Sequence, residues 1–252
     1  MKPLRRLLGA GGAPAASPDD ALLRGATPVE RRILERVADH TMTNVPQLLS
    51  LIDAVRYCAA REVSGAFAEC GVWLGGSVLA MILTIQEHRL PEREIYLYDT
   101  FAGMTPPSDV DTSSYERPAL ETWRGAESAG RQPWLELFDP TVFNLDAVRS
   151  LLLETGYPEE LLRFVPGPVE ETLPAGAPSE LALLRLDTDW YESTRHELEH
   201  LFPVLASGGV LIIDDYGHWD GARRAVDEYF AVRHAPVLLT RIDYTARLAI
   251  KH

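Results

Sequence analysis

The sequence predicts an α/β protein: a doubly wound, mostly parallel sheet finished by an antiparallel C-terminal hairpin, with N-terminal cap helices ahead of it. Three observations carry that prediction. Short apolar runs, GAFAECGV, EIYLYD, LLRFVPG, ALLRLD and GVLIIDD, alternate with helical patterns such as SVLAMILTI, NLDAVRSLLLETG, STRHELEHLFPVL and ARRAVDEYFAVR. That order builds parallel sheets from strand, helix and strand units. The runs are apolar at successive positions, as strands covered on both faces require. At the end the rhythm breaks, because PVLLTRI and ARLAIK are separated only by the turn-like Asp243-Tyr244-Thr245 and so pair antiparallel.

In chain order, residues 1 to about 28 are rich in Gly, Ala and Pro and read as a flexible arm. Arg5 and Arg6 precede a small-residue run as in a secretion signal, yet Gly and Ala give that run little hydrophobicity. Residues 29–252 form one domain, whose cap helices occupy 29–62. VERRILERV starts the first, and Asn44-Val45-Pro46 opens the second, with Leu48, Leu49, Ile52 and Val55 at helical spacing. Residues 102–135, which carry Pro106, Pro107, Tyr115 and Trp123, lack periodicity. A loop this long inside a compact domain is more often functional or disordered than idle, and it is read as a mobile lid over a substrate.

The 252 residues include 24 Lys and Arg against 37 Asp and Glu, a net charge of −13, and no basic run gathers the positive charges. That balance argues against nucleic-acid and anionic-membrane partners. No apolar stretch reaches the roughly 18 residues of a spanning helix. Two cysteines, Cys58 and Cys70, are too few for a disulfide framework or a Cys-based zinc site. Reduced thiols and a cytoplasmic location are expected.

Three constellations carry chemistry. In Glu69-Cys70-Gly71-Val72-Trp73-Leu74-Gly75-Gly76-Ser77, glycines at a strand-to-helix turn let a ligand approach the backbone. The dinucleotide pattern G-x-G-x-x-G is absent, and an acidic strand end repels phosphate but suits a cationic cofactor with an amino group, such as S-adenosylmethionine. About 30 residues on, Tyr98-Asp99-Thr100 places a carboxylate at the end of the next strand, where it accepts both hydroxyls of a ribose. Finally, Leu186-Asp187-Thr188-Asp189 and Ile213-Asp214-Asp215-Tyr216 put four carboxylates at the carboxyl ends of neighbouring strands. Such clustering is costly unless a cation neutralises it, and hard oxygen ligands in this number imply Mg²⁺ or a similar ion. The plain alternative is helix caps and solvated loop ends, since aspartate caps helices and Thr188-Asp189 directly precedes one.

A metal on Asp187, Asp214 and Asp215 would chelate adjacent substrate hydroxyls, with Asp189 placed to take a proton. His218, in the loop after the paired aspartates, is a rival base or a substrate contact. His196 and His200 stand four apart on an amphipathic helix and read as a solvated face rather than a ligand pair.

ECGVWLGGS, YLYDTFAGM, LRLDTDWYEST and VLIIDDYGHWDGARRAV resemble the macrocin O-methyltransferase family, from about residue 35 to the end. The resemblance implies a class I methyltransferase (Rossmann-like) fold, S-adenosylmethionine, Mg²⁺, and methylation of a sugar hydroxyl on a glycosylated bacterial secondary metabolite, as in antibiotic biosynthesis. By motif it implies Thr43, Glu69, Gly71, Val72, Ser77, Asp99, Thr100, Gly167, Glu171 and Asp187 at the cofactor, with Asp99 on the ribose and Glu171 on the adenine amino group. The same resemblance implies Asp187, Asp214 and Asp215 as metal ligands and Asp189 as the base; apart from it, Trp73, Tyr115, Tyr216 and His218 are expected to face substrate. A homo-oligomer is implied only by the resemblance. The chain departs from the family at Pro168, where an aromatic residue often covers adenine. Other readings are a metal-dependent catechol or phenol O-methyltransferase, a non-catalytic binding module, and a nicotinamide oxidoreductase, the last disfavoured by the missing glycine pattern.

Overall fold

The computed structural model describes residues 18–232 and 237–252. Most of the expected arm, residues 1–17, lies outside the described residues. Its last part is not irregular: Pro18–Gly25 is a helix, α1, which buries Leu23 against the core. The cap helices follow as α2, Pro28–Val37, and α3, Val45–Ala60. Each starts with a capping box, Thr27 with Glu30 and Asn44 with Gln47, and each carries proline in its first turn.

The remaining elements are β1, Ala66–Cys70; α4, Gly76–Glu87; β2, Ile95–Asp99; α5, Ala119–Ser128; α6, Leu145–Leu153; β3, Leu162–Pro166; α7, Val169–Thr172; β4, Leu181–Leu186; α8, Tyr191–His200; β5, Leu205–Ile213; α9, Asp220–Val232; β6, Thr240–Arg241; and β7, Arg247–Ile250. The segment 102–135 thus contains α5, a helix its aperiodic apolar pattern does not announce: of its ten residues only Ala119 is buried.

The seven strands lie in the order β3-β2-β1-β4-β5-β7-β6, with β7 antiparallel to both its neighbours and the rest parallel. This is the expected doubly wound sheet with its antiparallel end. Alternate strand residues feed opposite faces. Phe67, Leu97, Leu183, Val210 and Ile212 pack with α2, α3, α4 and α6, whereas Ala68, Cys70, Leu184, Leu186, Leu211 and Ile213 pack with α8 and α9. β1 and β4 are buried along their whole length, which explains their unbroken apolar runs.

Register positions the site. Cys70 pairs with Tyr98 on one side and Leu186 on the other, and Leu186 pairs with Ile213. Gly71, Asp99, Asp187 and Asp214 therefore emerge together, one residue beyond the last pairs, where the strand order reverses. Open α/β sheets bind ligands at that crevice. Among the described residues, no helix is long and apolar enough to cross a membrane.

Candidate active site

A cavity of about 730 Å³ opens at these strand ends, within the range typical of small-molecule sites. Of the residues singled out from sequence, Thr43, Glu69, Gly71, Val72, Trp73, Ser77, Asp99, Thr100, Gly167, Asp187, Asp189, Asp214, Asp215 and His218 line it. Glu171, Tyr115 and Tyr216 do not.

At one end the glycine turn lets the chain pass close to β4. Gly71 has φ +82°, and a Cβ there would stand 1.9 Å from the Asp187 carbonyl oxygen, so only glycine is accommodated. Just before it, Glu69 is fully buried. Its Oε1 accepts from Arg185 Nη1 at 2.5 Å, and its Oε2 has no hydrogen-bond partner. Burial outweighs the neighbouring guanidinium and pushes this carboxyl up to about 7. A buried carboxyl oxygen without a donor, on a cavity wall, suits an incoming ammonium group.

Asp99 has a different first task from the one expected. Its Oδ2 accepts the N–H groups of Val72 (2.7 Å) and Trp73 (3.0 Å), and its Oδ1 accepts that of Phe101 (2.7 Å). The carboxylate ties the glycine turn to β2. With roughly four acceptor positions on a carboxylate, little is left beyond one hydroxyl, not the pair expected. Glu171 is corrected as well. It is exposed on the one-turn helix α7, and its neighbour Glu170 lines the cavity instead, because one residue along a helix turns a side chain about 100°.

At the other end the acidic residues converge. Asp187, Asp214 and Asp215 can each present an oxygen within 4.8 Å of the others'. Burial, then the charge of Asp187, pushes Asp214 well above the carboxylate range; burial, Asp189 and Asp187 do the same to Asp215. Asp189, in the left-handed region at φ +67°, is pushed up to about 8 by burial and Asp187. Its Oδ1 accepts from Trp219 Nε1 at 2.8 Å, and its N–H donates to Asp215 Oδ2 at 3.2 Å.

The chain supplies part of the neutralising charge itself. Arg185, on β4 opposite Glu69 in register, is 2% exposed. Its Nη1 reaches Glu69 (2.5 Å) and Asp187 Oδ2 (2.6 Å), and its Nη2 reaches Asp214 Oδ1 (2.8 Å) and Thr43 Oγ1 (3.0 Å). One guanidinium thus links both ends of the cavity and the loop before α3. Sequence reasoning passed over it although a signal existed: the lone charge inside the apolar run ALLRLD. Nothing in the sequence announced Trp219.

The segment 102–135 borders one side of the cavity. Glu116 lines the cavity 3.5 Å from His218 Nε2, and His218 Nδ1 is 3.1 Å from the Tyr244 hydroxyl. Tyr115 stacks on His218 with ring centroids 5.5 Å apart, touching the site through that ring. Tyr216 points elsewhere: its hydroxyl donates to Asp227 and its ring lies under the Arg247 guanidinium. In the loop Asp214-Asp215-Tyr216, both carboxylates take the cavity side and Tyr216 turns back onto α9. His196 and His200 lie half-buried on α8, away from the cavity, their rings 4.3 Å apart.

The profile of the Macrocin-O-methyltransferase (TylF) family matches residues 34–249. The chain belongs to that family. It is an O-methyltransferase, with the class I fold its strand order indicates. It is 35% identical, over 75% of its length and 67% of the relative's, to an 8-demethyl-8-(2,3-dimethoxy-alpha-L-rhamnosyl)-tetracenomycin-C 4'-O-methyltransferase of Streptomyces olivaceus. It is 30% identical, over 76% of its length and 68% of the relative's, to a demethyldecarbamoylnovobiocin O-methyltransferase of Streptomyces niveus. Among solved structures, the O-methyltransferase NovP superposes with a TM-score of 0.68 at 29% identity, covering 84% of this chain and 82% of that one.

Proposed function

We propose that this O-methyltransferase moves the methyl group of S-adenosylmethionine to a sugar hydroxyl of a glycosylated bacterial metabolite, assisted by Mg²⁺. The observation that carries the reading is the meeting of Asp187, Asp214 and Asp215 within 4.8 Å, next to Asp189 and in the same cavity as Glu69. The donor set fits a hard divalent ion, being all carboxylate oxygen. The unpartnered Glu69 Oε2 fits the amino group of a methionine moiety. The name of one relative, a methyltransferase of a dimethoxy-rhamnosyl tetracenomycin, supports the acceptor class.

When bound, the cofactor supplies a methyl group on a sulfonium, and the ion supplies positive charge that lowers a neighbouring hydroxyl's pKa. The residues do the rest. Glu69, Ser77 and the Gly71 turn hold the donor, Asp99 offers its remaining acceptor position to a ribose hydroxyl, and Glu170 rather than Glu171 lies beside the adenine end. Asp189 would accept the proton of an acceptor hydroxyl held beside the metal-ligand carboxylates. Three carboxylates from the chain would leave positions on such an ion open to two adjacent oxygens of an acceptor.

The test is methyl transfer to a panel of glycosides, with and without chelator, by wild type and Asp189→Ala. Loss of turnover on chelation, its return with Mg²⁺, and near-zero turnover in the variant are expected. Removing the hydroxyl vicinal to the acceptor lowers turnover more than altering a distant aglycone. Full activity in chelator overturns the metal's role, and equal rates with the deoxy substrate overturn the chelated acceptor.

A further inference from the structure

Glu197, on α8, is fully buried beneath the cavity and does not line it. It interrupts an apolar interface in which Leu198 and Leu201 of the same region pack against the sheet. Its Oε1 accepts from the Thr188 hydroxyl at 2.9 Å, and its Oε2 has no hydrogen-bond partner. Burial, followed by the charges of Glu170, Asp215 and Asp187, pushes the carboxyl well above the ordinary carboxylate range. Burying a polar group with half its hydrogen bonding unmet is destabilising.

What this arrangement secures is Thr188, the residue between Asp187 and Asp189. The turn is strained, with Asp189 at φ +67°, a left-handed conformation that is costly outside glycine and persists only when its surroundings over-determine it. The Thr188 carbonyl is also held, by Trp190 N–H (2.8 Å) and Ser193 Oγ (3.3 Å). Glu197 fixes the side chain from below.

We propose that Glu197 is a positioning residue: through the Thr188 hydroxyl it locks the Asp187-Thr188-Asp189 turn, so that a metal-ligand carboxylate and the base carboxylate face the cavity together. The inference rests on the roles proposed above for Asp187 and Asp189.

The test compares Glu197→Leu, Glu197→Gln, Thr188→Val and the Leu/Val double variant. Three quantities are read: melting temperature, Mn²⁺ affinity of the cofactor-free protein by calorimetry, and kcat and KM with a glycoside the wild type methylates. Glu197→Leu is expected to melt at or above wild type, to bind Mn²⁺ more weakly, and to lose kcat by about 10- to 100-fold with KM for the cofactor unchanged. Glu197→Gln keeps an acceptor for Thr188 and stays within a few-fold of wild type. Thr188→Val matches Glu197→Leu, and the double variant is no worse than either. Wild-type kcat and Mn²⁺ affinity in Glu197→Leu overturn the inference, as does equal impairment of the Gln and Leu variants, or a kcat loss that merely tracks a lower melting temperature. A wild type that binds no Mn²⁺ defeats the reading of the site itself, and this inference with it, whereas unaltered binding in Glu197→Leu defeats only the role of Glu197.

Discussion

Trp219 donates its indole N–H to Oδ1 of Asp189 across 2.8 Å. The bond joins the residue before α9 to the turn after β4 and favours the ionised form of a carboxyl that burial and Asp187 push up to about 8. Asp189→Asn removes the proton acceptor while keeping the shape, so kcat falls by about 10²- to 10⁴-fold with cofactor affinity unchanged. Trp219→Phe keeps the packing on Trp190, whose ring lies 5.0 Å away, and loses only the bond. Its kcat falls by about 10- to 100-fold, the worth of a hydrogen bond to a charged group. Steady-state kinetics decide, and an unchanged rate in Trp219→Phe refutes the orienting role.

Arg185 is the resident cation of the site, and its loss leaves Glu69, Asp187 and Asp214 facing each other in a dry interior. Breaking a buried pair by removing one partner costs about 3–5 kcal/mol. Arg185→Met should therefore unfold at lower urea than wild type by that amount. Divalent cation should recover part of the loss in Arg185→Met, since it neutralises two of the same three carboxylates. A variant as stable as wild type without added metal contradicts this account.

The raised carboxyls make stability depend on pH in a fixed direction. Glu69 is held at about 7 against an ordinary 4.5, so the folded chain binds that proton more tightly than the unfolded chain. Its stabilising contribution is complete below about 4.5 and disappears as pH rises through about 7. Asp189, at about 8 against 3.8, acts in the same sense. The metal-free, cofactor-free protein should lose melting temperature from about pH 5 to about pH 8, and Glu69→Gln should flatten the slope. A slope unchanged in Glu69→Gln would show that this carboxyl does not set it.

The fold and the acidic cluster were legible in the sequence because both follow from local pattern. Buried parallel strands write apolar runs, and the residue after each run falls at the strand's carboxyl end, so the sequence alone puts Gly71, Asp99, Asp187 and Asp214 at one edge of the sheet. Helix α5 was not legible, because it buries little and so leaves no apolar stripe. The errors at Glu171 and Tyr216 are one-residue errors of direction, which a motif cannot resolve within a single turn. Arg185 and Glu197 were not legible for another reason: each is a buried ionisable residue whose partners, Glu69 and Thr188, are supplied by tertiary pairing.

The ring cluster at the cavity edge offers a last prediction. Tyr115 from the segment 102–135 stacks on His218 from the loop after β5, and both meet Tyr244 from the C-terminal turn, with centroids 5.3 and 6.0 Å from it. Three segments distant in sequence are joined by ring contacts alone at Tyr115, which is 63% exposed and so contributes little to the core. Aromatic pairs are worth about 0.5–1.5 kcal/mol beyond burial. Tyr115→Ala should leave the melting temperature near wild type, and raise KM for the acceptor by about 3- to 10-fold with kcat little changed. Tyr115→Phe keeps the ring and should behave as wild type. If instead Tyr115→Ala lowers kcat and spares KM, the contact serves the chemical step rather than the hold on the acceptor.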